Sequence, residues 1–291
     1  MIPIQFDYAT PKSLDEAIAL LHQTEDACAL AGGHDLLTQL KLRRRTPKLV
    51  VHLGHIPDLR GIRYRPDEDA LYIGAMVTCS ELVAHPEVQN WEALVEAANS
   101  IGDAQVRNCA TLGGNLAGGD PTTDLPAAAL ALEVALHVVG PHGPRVIAAD
   151  QFFVGPFDTA LEAGEIIKEL KFPATPAQSG SAYEKIKNPA NSHPICGVAA
   201  AVTLTKEGKL VAKCRVAVTG AAEHPARLHE VEAALEGTNP TSAKIAEAAG
   251  HADRDVTFVS DLSASGEYRA DLATVLTERV LIRAVEMARE G

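Results

Sequence analysis

The sequence predicts an α+β protein built in more than one unit, and three observations carry that expectation. Strand-like and helix-like runs alternate as β-α-β-α-β over the first stretch, from Ile2 to Leu53. A segment rich in proline and small polar residues, Pro173 to Ser181, then interrupts the middle of the chain. Beyond it, three strand-like segments follow one another before three helical ones begin, which is the order of an α+β domain.

Each element rests on its own residues. Ile2 to Phe6 alternates apolar and polar and is predicted as a strand. Ser13 and Glu16 have capping-box spacing, and Leu14, Ala17, Ile18 and Leu21 fall on one face of the helix they would open. Ala27 to Leu30 is an apolar strand that runs into Ala31-Gly32-Gly33-His34, and a helix is predicted from Asp35 to Arg43. That helix ends in Arg43-Arg44-Arg45. Three cations suit a helix C-terminus, whose carbonyls carry the negative end of the dipole; a patch for an anion or a partner is the alternative. Leu49 to Leu53 completes the unit as a strand.

In the next stretch Leu71 to Ala75 is predicted as a strand, and Thr78 with Glu81 caps a short helix. A longer helix is expected from about Pro86 to Ile101, with Trp91 as packing. Asp124-Leu125-Pro126 starts another helix with proline in its first turn. Strands are expected at Ala135–Val139, Arg145–Ile147 and Glu165–Phe172. After the linker, strands are expected at 182–187, 197–205 and 210–219, and helices at 226–235, 242–249 and 268–289.

Between these elements lies the stretch that carries chemistry, Thr111 to Pro126, with four glycines, two prolines and short polar side chains. It is too long for a turn, and so long a connection inside a compact domain usually has a function. Glycines let bare N–H groups approach a phosphate without hindrance from Cβ. The shorter Gly32-Gly33 loop runs from a strand into a helix, where backbone donors and the helix dipole both favour an anion. A single Gly-Gly pair is most often an ordinary turn. Two such loops in one chain point to a ligand with a pyrophosphate and a polyol, a dinucleotide. The G-x-G-x-x-G fingerprint is absent from both, which argues against a standard nicotinamide-binding fold.

Composition narrows the class. The formal net charge of −12 and pI of about 5.4 argue against nucleic acid or an anionic membrane surface as partner. The N-terminal residues lack the basic and apolar regions of a signal peptide and no apolar run is long enough to span a bilayer, so a cytoplasmic protein is expected. The 5 cysteines are dispersed, without C-x-x-C, and suit small buried hydrophobes better than disulfides or an iron–sulfur site.

Ala31-Gly32-Gly33-His34-Asp35-Leu36-Leu37 with Lys41, followed by Gln105-Val106-Arg107-Asn108-Cys109-Ala110-Thr111-Leu112-Gly113-Gly114-Asn115-Leu116, resembles the FAD-binding medium subunits of the molybdenum hydroxylases. Within that family the similarity is greatest to the medium chains of aerobic carbon monoxide dehydrogenase, with the FAD subunits of xanthine dehydrogenase also related. It runs nearly end to end.

The resemblance implies a p-cresol methylhydroxylase/vanillyl-alcohol-oxidase-type FAD-binding fold in two lobes, residues 1–56 and 57–177, plus a C-terminal α+β flavoprotein domain, 178–291. It implies an oxidoreductase subunit with non-covalent FAD. Ala31, Gly32, Gly33, His34, Asp35 and Leu36 would wrap the pyrophosphate, and Thr111, Leu112, Gly113, Gly114 and Asn115 would take its other side. Asp124 stands where the family has an acid that accepts from cofactor hydroxyls; its alternative is the N-cap of the helix at Leu125. Ile101 and Ile167 match apolar positions against the cofactor's rings. Lys185 lies near a lysine beside the flavin, or is an exposed strand-end lysine. His193 could cover the flavin ring, or is a surface-loop histidine.

No catalytic residue of this chain and no metal site is expected. Molybdopterin and [2Fe–2S] clusters would sit in a large and a small partner subunit, in a dimer of heterotrimers. Electrons would pass through FAD to quinone, NAD or oxygen. The alternative is a self-contained flavin oxidase with FAD tethered at His34.

Overall fold

The computed structural model describes residues 2–291. Its first unit is a parallel three-stranded sheet. The chain runs through β1 (Asp7–Ala9), α1 (Leu14–Gln23), β2 (Ala27–Leu30), α2 (His34–Lys41) and β3 (Leu49–His52). The strand order is β1-β3-β2, with both neighbours parallel to the central β3. Strand β1 starts at Asp7, so the expected strand at Ile2–Phe6 does not form. Ile2 and Ile4 are exposed there, and the pairing with Leu49 to Val51 engages Asp7 to Ala9 instead. Ser13 caps α1 by accepting from the Glu16 N–H at 3.2 Å, but the Glu16 carboxylate returns to Lys12 N–H rather than to Ser13.

The second unit is an antiparallel sheet with helices on one face. It holds β4 (Ile62–Arg65), β5 (Ala70–Gly74), α3 (Cys79–Ala84), α4 (Glu92–Ser100), α5 (Ala104–Cys109), α6 (Leu112–Ala117) and α7 (Leu125–Ala131). It continues through β6 (Ala135–Gly140), β7 (Gly143–Ala148), the small hairpin β8 (Phe153–Gly155) and β9 (Asp158–Thr159), and β10 (Ile166–Pro173). The strand order is β4-β5-β10-β6-β7. Thr78 and Glu81 form a full capping box on α3. The helix expected over 86–101 is broken, because Pro86–Asn90 is a 3-10 turn and α4 starts only after Trp91. Trp91 is buried at the break and donates its indole N–H to the Pro173 carbonyl at 3.0 Å, so a tertiary bond decides the kink.

The third unit is a four-stranded antiparallel sheet made of β11 (Ser179–Lys187), β12 (Pro194–Leu204), β13 (Val211–Thr219) and β14 (Ala226–Arg227). Helices α8 (His229–Leu235), α9 (Ser242–Ala249) and α10 (Gly266–Glu290) follow. Ala226 and Arg227 pair with β13, which delays the expected helix to His229. One face of the sheet carries α10: a side chain at Gly180 would run into the Ala284 carbonyl. Its other face sends Tyr183, Ala199 and Ala217 into the core of the second unit, beside α4 and α7. With both faces covered, β12 is apolar almost throughout rather than alternating.

Candidate functional site

All three units contribute loops to one cavity of about 710 Å³, a size that suits a large cofactor. Ala31, Gly32, Gly33, His34, Asp35 and Leu36 form one wall. Thr111, Gly113, Gly114 and Asn115 form another, and Ile101, Asp124 and Ile167 also face it. Two of the sequence-predicted residues stand apart. Leu112 is fully buried in the core of the second unit, and Lys185 lies one layer behind the wall.

The two glycine loops are packed against each other. A Cβ at Gly32 would sit on the Cys109 carbonyl oxygen, and one at Gly114 would approach Thr111 Oγ1 at 2.7 Å and Ala31 Cβ at 3.0 Å. Gly33 is the N-cap of α2 at φ 76°, a left-handed conformation that costs glycine nothing. With no side chain to cap the helix, the first-turn N–H groups of His34, Asp35 and Leu36 find no acceptor in the chain.

The second loop differs from its expectation. It is helical over α6, and its N–H groups are spent inside the protein. Leu112 and Gly113 donate to the Val77 and Ala75 carbonyls, both at 2.9 Å; Gly114 donates to Thr111 Oγ1 at 3.2 Å and Asn115 to the Thr111 carbonyl at 2.9 Å. What this wall offers a ligand is side chains. The Thr111 hydroxyl can still donate, and Asn115 Oδ1 is buried without any partner.

Asp124 sits at the N-cap position of α7 but makes no capping bond. It is 4% exposed; its Oδ1 accepts from Ser100 Oγ at 3.1 Å and Tyr183 Oη at 2.7 Å, and pairs with the Lys185 ammonium, whose Nζ lies 2.7 Å away. Burial, reinforced by the neighbouring Asp124 charge, pushes the Tyr183 phenol well above its usual range and keeps it a donor. Lys185 also donates to the Ser192 carbonyl at 2.8 Å, which ties Asp124 to the β11–β12 connection. That connection brings Asn191, Ser192 and His193 to the cavity. His193 Nδ1 lies 2.8 Å from the Thr122 carbonyl, so this nitrogen carries the proton. Thr122 in turn donates to Asp120 Oδ1 at 2.7 Å.

Several wall residues were not singled out from the sequence as site residues. Asp120 and Thr122 lay inside the long glycine stretch and could have been. Met76 and Glu165 carry no local signal. Arg44 and Arg45, read first as a helix terminus, also line the cavity. Burial, then the charge of Asp120, raises the Asp35 carboxyl above its usual range. Among the described residues, no group of His, Cys, Asp and Glu side chains is placed to hold a metal.

Residues 4–175 match the model of the FAD binding domain in molybdopterin dehydrogenase, and residues 181–284 that of the CO dehydrogenase flavoprotein C-terminal domain. The chain belongs to the FAD-binding subunits of the molybdopterin dehydrogenases. Among the members of this family, the carbon monoxide dehydrogenase medium chain of Hydrogenophaga pseudoflava is 38% identical over 97% of this chain and 97% of its own. The nicotine 6-hydroxylase medium subunit of Paenarthrobacter nicotinovorans is 35% identical over 95% and 96%. The solved carbon monoxide dehydrogenase of H. pseudoflava superimposes with a TM-score of 0.93 at 39% identity, covering 98% of both chains. Like other subunits of this dehydrogenase family, the chain is part of oxidoreductase machinery and has an FAD-binding portion followed by the flavoprotein C-terminal domain. Among the described residues, no helix is long and apolar enough to cross a membrane.

Proposed function

We propose that this subunit holds FAD non-covalently in the 710 Å³ cavity and serves a three-component hydroxylase as its electron outlet. The observation that carries the reading is the contact of the two glycine loops around the uncapped N-terminus of α2, all on one cavity. The residues present fit the cofactor. Bare N–H groups at His34, Asp35 and Leu36 suit a diphosphate, and Asn115 supplies a buried polar atom in need of a partner. The ionised Asp124 carboxylate accepts and cannot donate, so it suits hydroxyls rather than phosphate; its Oδ1 is already taken, and Oδ2 is left for the ribityl or ribose O–H groups. Ile101 and Ile167 offer apolar surface to a ring, and Lys185 acts through Asp124 rather than by direct contact.

FAD held by these residues would supply the redox chemistry, as the relay between the [2Fe–2S] clusters of a small partner subunit and an acceptor such as quinone, NAD or oxygen. The substrate would be oxidised in a large molybdopterin subunit, and two such three-subunit units would pair. Carbon monoxide is the favoured substrate, because medium chains of carbon monoxide dehydrogenases lead the relatives reported above; N-heterocycles follow, by way of the nicotine enzyme.

The test is the absorption spectrum of the purified complex before and after acid precipitation. Flavin in the supernatant, with iron–sulfur absorbance in the starting sample, supports the proposal. Flavin retained in the pellet without those bands would replace it by a self-contained oxidase tethered at His34.

A further inference from the structure

We infer that Arg44 and Arg45 form the cationic side of the cofactor site and bind the diphosphate of the dinucleotide; the inference rests on the reading that FAD occupies the cavity. No side chain at the end of an exposed helix need belong to a ligand site, but here the backbone turns both residues back. Arg43 takes φ 57°, and the N–H groups of Arg44 and Arg45 both donate to the Gln39 carbonyl, at 3.0 and 3.5 Å. Arg44 and Arg45 join Ala29 and Thr38 among the residues that line the cavity.

Charge accounting on that wall singles them out. They are the only arginine or lysine side chains among its described residues, and neither makes a salt bridge among the described residues of the chain. Of the four wall carboxylates, Asp124 pairs with Lys185 at 2.7 Å and Glu165 with Arg145 at 2.6 Å. Asp35 and Asp120 have no cation of their own, and Arg45 is close enough to Asp35 to favour its charged form.

A diphosphate brings two further negative charges into this setting. The second glycine loop spends the N–H groups of Leu112, Gly113, Gly114 and Asn115 inside the protein, and beside the first turn of α2 and the Thr111 hydroxyl the two guanidinium groups are the donors that carry positive charge. Guanidinium is the side chain best matched to phosphate oxygens, through paired N–H bonds. A cavity with neither arginine would place the diphosphate beside two uncompensated carboxylates. Riboflavin, which lacks phosphate, should be indifferent to both residues.

The experiment uses the full-length subunit freed of flavin, titrated with FAD and with riboflavin while flavin fluorescence is followed. For Arg44→Gln with Arg45→Gln, FAD affinity is expected to fall by about tenfold or more, with riboflavin affinity unchanged. The dependence of FAD affinity on salt should flatten as well, since the screened charges are gone. Arg44→Lys with Arg45→Lys keeps the charge and is expected to keep most of the affinity. Equal loss for FAD and riboflavin, or wild-type FAD affinity in the glutamine variant, would overturn the inference and leave the FAD reading intact. Failure of the wild-type subunit to bind either flavin would overturn that reading and the inference together.

Discussion

Asp124 is the residue on which most of the site converges. Its carboxylate is almost fully withdrawn from water, and one oxygen accepts two hydrogen bonds and forms an ion pair with a buried ammonium. An ion pair of this kind adds little net stability, but removing one partner leaves an uncompensated buried charge that costs about 3–5 kcal/mol. Asp124→Asn is therefore expected to destabilise the fold by that order in chemical denaturation, and to release flavin. Adding Lys185→Met should recover much of the stability without restoring flavin. If the double variant regained flavin as well, Asp124 would be acting on the ligand only through folding. In sequence, Asp124 taken alone reads at least as well as a helix N-cap as it does as a cofactor acid. It makes no capping bond, and a local pattern could not show that its partners would come from Ser100, Tyr183 and Lys185.

Among elements, α2 and α6 share one short segment of cavity wall and use opposite devices at their starts. Helix α2 begins at an uncapped glycine, which leaves its donors free. Helix α6 begins at Thr111, whose hydroxyl caps Gly114 N–H and whose backbone bridges to Thr78. A capping bond of this kind contributes about 1 kcal/mol. Thr111→Ala combined with Gly114→Asp removes the cap and places a charged side chain in the contact between the loops. That variant is expected to lose flavin from the complex while the molybdenum half-reaction continues. A normal flavin-to-protein ratio would refute the assignment of this wall. The break in the helix at Trp91 is decided at the same scale. Its apolar pattern is helical on both sides, and the 3-10 turn from Pro86 and the bond from Trp91 to Pro173 accompany the entry of α4.

At the scale of the whole molecule, the charged face of the antiparallel sheet sets the response to acid. Hydrogen bonds from Lys171 and then Tyr72 hold the Glu68 carboxyl down at about 2, against an ordinary value of 4.5. Glu165 is lowered too, first by its hydrogen bond to Arg145. A depressed carboxyl stabilises the fold above its unfolded value, and that contribution is lost as pH falls through the folded value. Stability is therefore expected to decline as pH is lowered from about 4.5 towards 2, seen as a falling Tm. Glu68 is exposed, so its share should shrink in salt. A Tm that stayed flat over this interval would show that these pairs do not act on folding.

Most helices and strands were legible in the sequence, and for the same reason throughout. Periodicity, proline position and capping residues act over a few neighbours, so Ser13, Thr78 and the Leu125-Pro126 start announce their elements directly. The glycine loops were legible as well, since Gly32, Gly113 and Gly114 stand out by composition. Tertiary structure alone decided which donors those loops keep. The amides of Leu112 and Gly113 are taken by Val77 and Ala75, more than thirty positions earlier, whereas the first turn of α2 meets nothing. It also moved Lys185 behind the wall and brought Arg44 and Arg45 onto it. A hydrogen bond or ion pair depends on where a distant backbone passes, and no window of neighbouring residues contains that distance.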